Sequence, residues 1–500
     1  NFTWKKKRKM LRLKSKDIKI STGGPLIVIL NRLDAEELDL QPLDRLKIKH
    51  GRKSVVTAID ISESNNGIKK GQIGLFKEVI KELGIKKQTT LGVLSTTIPH
   101  SIEIIRKKLD EKELTKKEIE IIIKDLIDGE LTEIELTYFV SACYKKDLSF
   151  KETAYLIEAI TKHGDKIDFN RKIIADKHCI GGVPNNRTTM LVVPIVTAAG
   201  VPMIKTSSRS ITSPAGTADT MEVLSNVTFP IEKIVKIIKK INGCIVWGGA
   251  IDLAAADEKL IKVRHPLRLD PKGIMLASIL SKKLAVNSTH ILIDIPIGKT
   301  AKITTKKEAM SLKKSFERLG RKIKIKIKVI ITDGSQPIGN GIGPNLEAKD
   351  ILYILRKDPR APKDLEEKAV HMSDLIFKMT KTKASAREIL DSGKAYTQFM
   401  KIMEEQEGDP KIIPDSIALG KFEYTMKSSK TGKIKEIDNK VISRISRIAG
   451  APHDKEAGIY LYKKLNQKVK RGEKVMTIYS DSKTKLKYAK SLARKSILIA

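Results

Sequence analysis

The chain has 500 residues, too many for one ordinary core at roughly 100–200 residues per domain, so about three domains are expected. With 41% hydrophobic residues and only 18 prolines the composition excludes a disordered chain and leaves a packed enzyme or binding protein. Lys and Arg number 96 against 59 Asp and Glu, a formal charge of +37 that favours anionic ligands. The basic residues are spread along the whole length and aromatic residues are 4%, so no basic stripe with interleaved stacking rings marks a specific nucleic-acid surface.

Asn1 to Lys9 carries a basic run with no apolar core behind it, which is not a signal-peptide pattern, and Met10 is a candidate start that leaves residues 1–9 as an extension. From Met10 to about residue 98, short β-type runs such as Leu26 to Leu30 and Ser54 to Ile59 alternate with Gly- and Asn-containing turns, and predict a small β-rich domain. From Ser101 to about Gly164 the spacing becomes helical, as in Ile119, Ile122, Ile123 and Leu126.

Between about Ile173 and Gly334 strand-like runs alternate with helical ones. The strands are expected at Ile173–Ala175, Pro202–Ile204, Cys244–Trp247, Ile291–Ile295 and Ile327–Ile331, the βαβ rhythm of a mostly parallel sheet. Ligands in such sheets sit where strands end and loops begin. From Lys421 onward the alternation returns and predicts a C-terminal α+β domain. The fold class read from this order is α/β with a helical lobe, divided as residues 1–98, 99–420 and 421–500. The longest apolar stretch, Met190 to Ile204, is broken by Pro194, Gly200 and Pro202 and is shorter than the roughly 20 residues that span a bilayer, so no membrane segment is expected. Cys143, Cys179 and Cys244 have neither disulfide-framework nor zinc spacing, and fit a reducing compartment such as the cytoplasm.

Two segments carry the chemistry. Asp176-Lys-His-Cys-Ile-Gly-Gly-Val-Pro-Asn-Asn-Arg-Thr-Thr189 reads as a loop leading into an apolar helix; its glycines let backbone amides approach an oxyanion, and the helix start adds positive potential. Lys205-Thr-Ser-Ser-Arg-Ser-Ile-Thr-Ser-Pro-Ala-Gly-Thr-Ala-Asp219 offers seven hydroxyls with Arg209 and Lys205, donors suited to phosphate oxygens, and no acid before Asp219. Either segment alone reads as an ordinary polar turn. Two of them after successive strands of one sheet converge on one crevice.

The run from Ser207 to Glu222 resembles the signature of the thymidine and pyrimidine-nucleoside phosphorylases, and Lys177-His-Cys-Ile-Gly-Gly182 resembles their phosphate loop. Ser210, Pro214 and Met221 depart from that signature. Gly181-Gly-Val-Pro184 with Arg187-Thr-Thr189, Ile211-Thr-Ser-Pro-Ala-Gly216 and Cys244-Ile-Val-Trp-Gly-Gly249 are similar instead to the archaeal AMP phosphorylase branch, as is the extra N-terminal β domain. The resemblance covers essentially everything after Met10. It implies a thymidine phosphorylase-like fold and phosphorolysis of a nucleoside 5′-monophosphate, with inorganic phosphate as co-substrate and no resident cofactor or metal. It also implies a homodimer formed through the helical lobe that assembles further.

For the site, the resemblance implies substrate contacts from Gly182, from Ser208, Arg209, Ser210, Ile211, Thr212 and Ser213, and from Thr217, with Lys177 and His178 close by. Ser278 and Lys282 are i and i+4, so on a helix they share one face; the similar family segment presents them to the nucleobase. Asp270 lies where that branch is expected to carry its proton donor, and Asp257 is the competing acid. A proton donor of this kind needs partly desolvated surroundings. Other readings are a thymidine or uridine phosphorylase, a phosphoribosyltransferase, for whose Mg²⁺ no acidic cluster is visible, and a non-catalytic basic nucleic-acid binder.

Overall fold

The computed structural model describes residues 10–64, 67–96, 98–210, 213–250, 255–264 and 269–500. It falls into two compact units, residues 1–164 with 254–281 and residues 165–253 with 282–500.

In the first unit, β1 (Leu11–Asp17), β2 (Ile27–Asn31), β3 (Arg45–His50), β4 (Lys53–Ser62), β5 (Gln72–Leu75) and β6 (Thr90–Ser95) close into a barrel in the order β1-β5-β2-β4-β3-β6. Closure removes the unpaired edges that short strands would otherwise expose. Inside it Val28, Leu30, Leu46, Ile48, Ile59, Ile73, Leu91 and Val93 are fully buried. Helices follow at Ser101–Leu109, Lys116–Ile127, Glu133–Lys145 and Phe150–His163. The last three begin with the same local device: Thr115, Thr132 and Ser149 cap the backbone of Glu118, Glu135 and Glu152, whose carboxylates reach back to the capping residue. Arg45 and Lys47 of the barrel pair with Glu135 and Glu130 of the helices.

The second unit is built on five parallel strands, β7 (Ala175–Cys179), β8 (Met203–Ser207), β9 (Gly243–Trp247), β10 (His290–Ile297) and β11 (Lys326–Asp333), ordered β11-β10-β7-β8-β9. The helix Thr188–Ala198, apolar all round and buried from Thr188 to Thr197, lies in its core despite Pro194. The C-terminal segment adds antiparallel strands, among them Phe422–Lys427, Gly458–Leu461 and Lys474–Ser480, with helices Asn439–Ala449 and Lys483–Ala493 packed on them.

The strands reach further than the apolar runs that predict them. β7 starts at Ala175 and takes in Asp176, Lys177, His178 and Cys179, so these are strand residues and the Gly-rich loop begins only after Cys179. β8 likewise takes in Lys205, Thr206 and Ser207. Polar residues at the carboxyl end of a central strand interrupt the hydrophobic pattern while the ladder hydrogen bonds continue, so periodicity ends the strand too early.

Candidate active site

The two chemistry-bearing segments leave adjacent parts of the same sheet, from the carboxyl ends of β7 and β8. Gly181 and Gly182 both have left-handed backbones, φ +93° and +89°, which side chains rarely adopt. At Gly182 a Cβ would lie 2.2 Å from the backbone nitrogen of Lys302, whereas at Gly181 nothing stands within 4 Å. The loop therefore closes against Lys302, a residue the sequence reading missed. No local motif marks it; its place follows from β10, which ends at Ile297 and delivers the next turn to the Gly loop.

Three buried lysines gather around β7 and β8, the strands that lead into these loops. Lys177 donates to the Thr188 hydroxyl at the start of the apolar helix. Lys205 donates to the Lys177 carbonyl at 3.1 Å. Lys283 pairs with Asp176 at 2.7 Å, both side chains being almost wholly buried. Burial pushes Lys205 well below the ordinary lysine range, and the nearby Lys283 charge adds to the shift while Asp176 opposes it. Burial likewise lowers Lys177. His178, half-buried, is held well below its usual value by burial and by Lys205, Lys283, Lys177 and Lys282, so its ring is neutral at pH 7. Burial disfavours the charged forms of Lys177 and Lys205, so an anion brought beside them would favour those charges and be held by them more strongly than in water.

Asp294 of β10 balances part of the charge. Lys368 pairs with it at 2.9 Å, Thr332 donates to it at 2.6 Å and Asn186 at 3.2 Å. Asn186 also donates to the Cys179 sulfur at 3.0 Å.

The second loop is held differently from the expectation. Arg209, read as a donor for phosphate, forms a two-point ion pair with Glu222 at 2.8 and 2.6 Å, lies 3.5 Å from Asp219 and stacks over Trp247 at 4.8 Å. The Arg209 pair holds Glu222 down at about 2, with Lys455 helping at 3.2 Å. Acids at the C-terminal end of the Ser207–Glu222 run thus occupy the guanidinium, which anchors the loop. Asp219 accepts from the backbone nitrogens of Ser210 and Gly216, each at 2.7 Å. Ser208 is exposed, and Ser210 and Ser213 bond chiefly within the loop. Thr217 accepts from Arg187 at 3.2 Å. Ile211 and Thr212 lie outside the described residues.

Ser278 and Lys282 are both on the helix Lys272–Ala285, one turn apart. Ser278, in the first unit, is buried and donates to Asp257 at 2.8 Å. Lys282 belongs to the second unit, where its charge bears on His178. Asp270 is exposed and pairs with Arg264 at 2.8 Å, so the desolvated surroundings expected of it are absent here. Asp257, the competing acid, is the fully buried one. The helix begins at Lys272 and leaves Asp270 outside it, a placement residue type alone does not reveal.

No helix among the described residues is long and apolar enough to cross a membrane. Among the same residues no group of three or more His, Cys, Asp or Glu is placed to hold a metal ion.

The parallel sheet is joined in sequence to a helical segment, and this pairing is the one that the glycosyl transferase family models describe. The chain matches the model of the "Glycosyl transferase family, helical bundle domain" over residues 102–164, that of the "Glycosyl transferase family, a/b domain" over 171–396, and that of the "Pyrimidine nucleoside phosphorylase C-terminal domain" over 433–500. The anthranilate phosphoribosyltransferase of Thermus thermophilus shares the fold, with a TM-score of 0.51 at 17% identity over 60% of this chain and 98% of that one. Within this class the chain belongs to the AMP phosphorylase family. It is 46% identical to the AMP phosphorylase of Pyrococcus horikoshii and 44% identical to that of Pyrococcus furiosus, over 97% of both chains in each case. It is 40% identical to that of Methanocaldococcus jannaschii, over 94% of this chain and 93% of that one.

Proposed function

We propose that the protein is a pentosyltransferase that cleaves AMP with inorganic phosphate, giving adenine and ribose 1,5-bisphosphate. The observation that carries this reading is the clustering of Lys177, Lys205 and Lys283 around β7 and β8, the strands that lead into the Gly181–Gly182 turn and the hydroxyl-rich loop. A phosphate oxygen attacks C1′ of the ribose, the bond from C1′ to the purine nitrogen breaks, and the base leaves with a proton supplied by the enzyme. Positioning and charge stabilisation carry most of that barrier.

In this reading the amides around Gly182, with Lys177, Thr217 and Lys302, hold anionic oxygens. Residues 208–213 take the 5′-phosphate, Ser278 and Lys282 face the base, and Asp270 protonates it. Arg209 then acts through the loop it anchors. Because Asp270 is exposed beside Arg264, the bound nucleotide must supply the desolvation a proton donor needs. CMP and UMP are proposed as further substrates. We assign the enzyme to the cytoplasm, in keeping with three free thiols, and to a homodimer through the helical segment, where Ile134 and Tyr138 are exposed one turn apart. The N-terminal barrel would extend the assembly.

Incubation with AMP should release adenine only when inorganic phosphate is present. Adenine release without phosphate, or no release at all, overturns the reading. Selectivity for nucleotide over nucleoside is placed on the second loop, since donors meant for a 5′-phosphate are left unmatched by adenosine. Replacing Thr212 and Ser213 together by Ala should raise KM for AMP and leave the weak adenosine activity nearly unchanged. Equal loss with both substrates would place the attacking phosphate on this loop and favour a nucleoside phosphorylase.

A further inference from the structure

The two loops are joined by an ion pair whose acid, Glu347, lies in neither motif. Arg187 ends the Gly-rich loop, immediately before the apolar helix. Its Nε donates to Glu347 at 2.5 Å, its Nη1 to the Thr217 hydroxyl at 3.2 Å and its Nη2 to the Ala215 carbonyl. One guanidinium thus reaches from the first loop into the second. Glu347, on the helix Pro344–Leu355, is fully buried. The same carboxylate oxygen that takes Arg187 also accepts from Thr220 at 3.0 Å, just beyond the second loop, and the other oxygen accepts from the Gly343 nitrogen at 3.3 Å.

One turn further along that helix stands a second buried carboxylate. Asp350 accepts from Asn185 at 2.7 Å, and from the backbone nitrogens of Asn340 and Gly341 at 2.7 and 2.8 Å. Asn185 has a left-handed backbone, φ +55°, and sits so close to Gly339 that a Cβ there would lie 2.2 Å from its amide nitrogen. The helix Pro344–Leu355 therefore grips the Gly-rich loop at two points and Thr220, just past the hydroxyl-rich segment, at one.

We propose that Glu347 is a positioning residue which, through Arg187, fixes the spacing between the two loops, so that the attacking phosphate and the nucleotide phosphate are held in register. The proposal rests on the reading that both loops hold substrate oxygens. A buried charge pair is weak evidence for a purely stabilising role, because well-packed apolar residues often replace such a pair without loss of stability. The planar fork of Arg187 does what an apolar pair cannot: it holds Thr217 and the Ala215 carbonyl in a fixed direction.

The test compares Glu347→Gln, Arg187→Lys and the double variant Arg187→Met with Glu347→Leu against the unaltered protein. Melting temperature, kcat and the KM for phosphate and for AMP are measured for each. Glu347→Gln keeps the size of the side chain and should lower kcat/KM about 10²-fold, the usual effect of misplacing reacting groups by about 1 Å. KM for both substrates should rise together. The double variant should return the melting temperature to near that of the unaltered protein while kcat/KM stays low. Recovery of kcat/KM along with stability, or unchanged KM values in Glu347→Gln, overturns the proposal. A second readout needs no turnover: inorganic phosphate should raise the melting temperature of the unaltered protein and raise that of Glu347→Gln much less. If the unaltered protein is inactive on AMP yet stabilised by phosphate, the functional reading fails and the clamp is still decided by this comparison, an equal rise in both proteins refuting it.

Discussion

Replacing Asp270 by Asn is expected to slow AMP phosphorolysis roughly 10²–10⁴-fold, the usual range for removal of a general acid. Adenine is a poor leaving group as an anion, and Asn matches Asp in size and polarity but has no proton to transfer. Substrate binding should change far less, so the loss should appear in kcat. The structure makes Asp257→Asn a demanding control, because Asp257 is the buried acid and Ser278 donates to it at 2.8 Å. If Asp257→Asn loses more in kcat at unchanged melting temperature, the proton donor is Asp257.

Replacing Gly182 by Ala should be nearly as damaging, with kcat/KM falling about 10²-fold through displacement of the loop. Two effects combine there. The left-handed backbone at φ +89° strains any side chain by about 1–3 kcal/mol. The new Cβ would also meet the backbone of Lys302 at 2.2 Å, and backbone cannot swing aside as a flexible side chain can. Gly181→Ala separates the two effects, because Gly181 has the same strained backbone, φ +93°, and open space beside it. A clearly smaller loss at Gly181 is expected. Equal losses would show that strain alone is at work and that close approach to Lys302 is irrelevant.

Much was legible in the chain itself because the determining signals are local. The capping pairs Thr115 with Glu118, Thr132 with Glu135 and Ser149 with Glu152 lie three residues apart. Each helix start is thus settled within one turn. The glycine pair 181–182 permits the positive φ it adopts, and the spacing of Ser278 and Lys282 on one helix follows from the 3.6-residue repeat.

Tertiary structure decided which charge meets which. Arg209 lies in a hydroxyl-rich motif, yet Glu222, thirteen residues on, captures it. Asp176 finds Lys283, Arg187 finds Glu347 across 160 residues, and Lys302 meets Gly182. An ion pair depends on distance and on the water excluded around it, and neither quantity exists until strands and helices have been placed. For the same reason residue type ranked Asp270 and Asp257 as alternatives, and only packing buried one and left the other in contact with solvent.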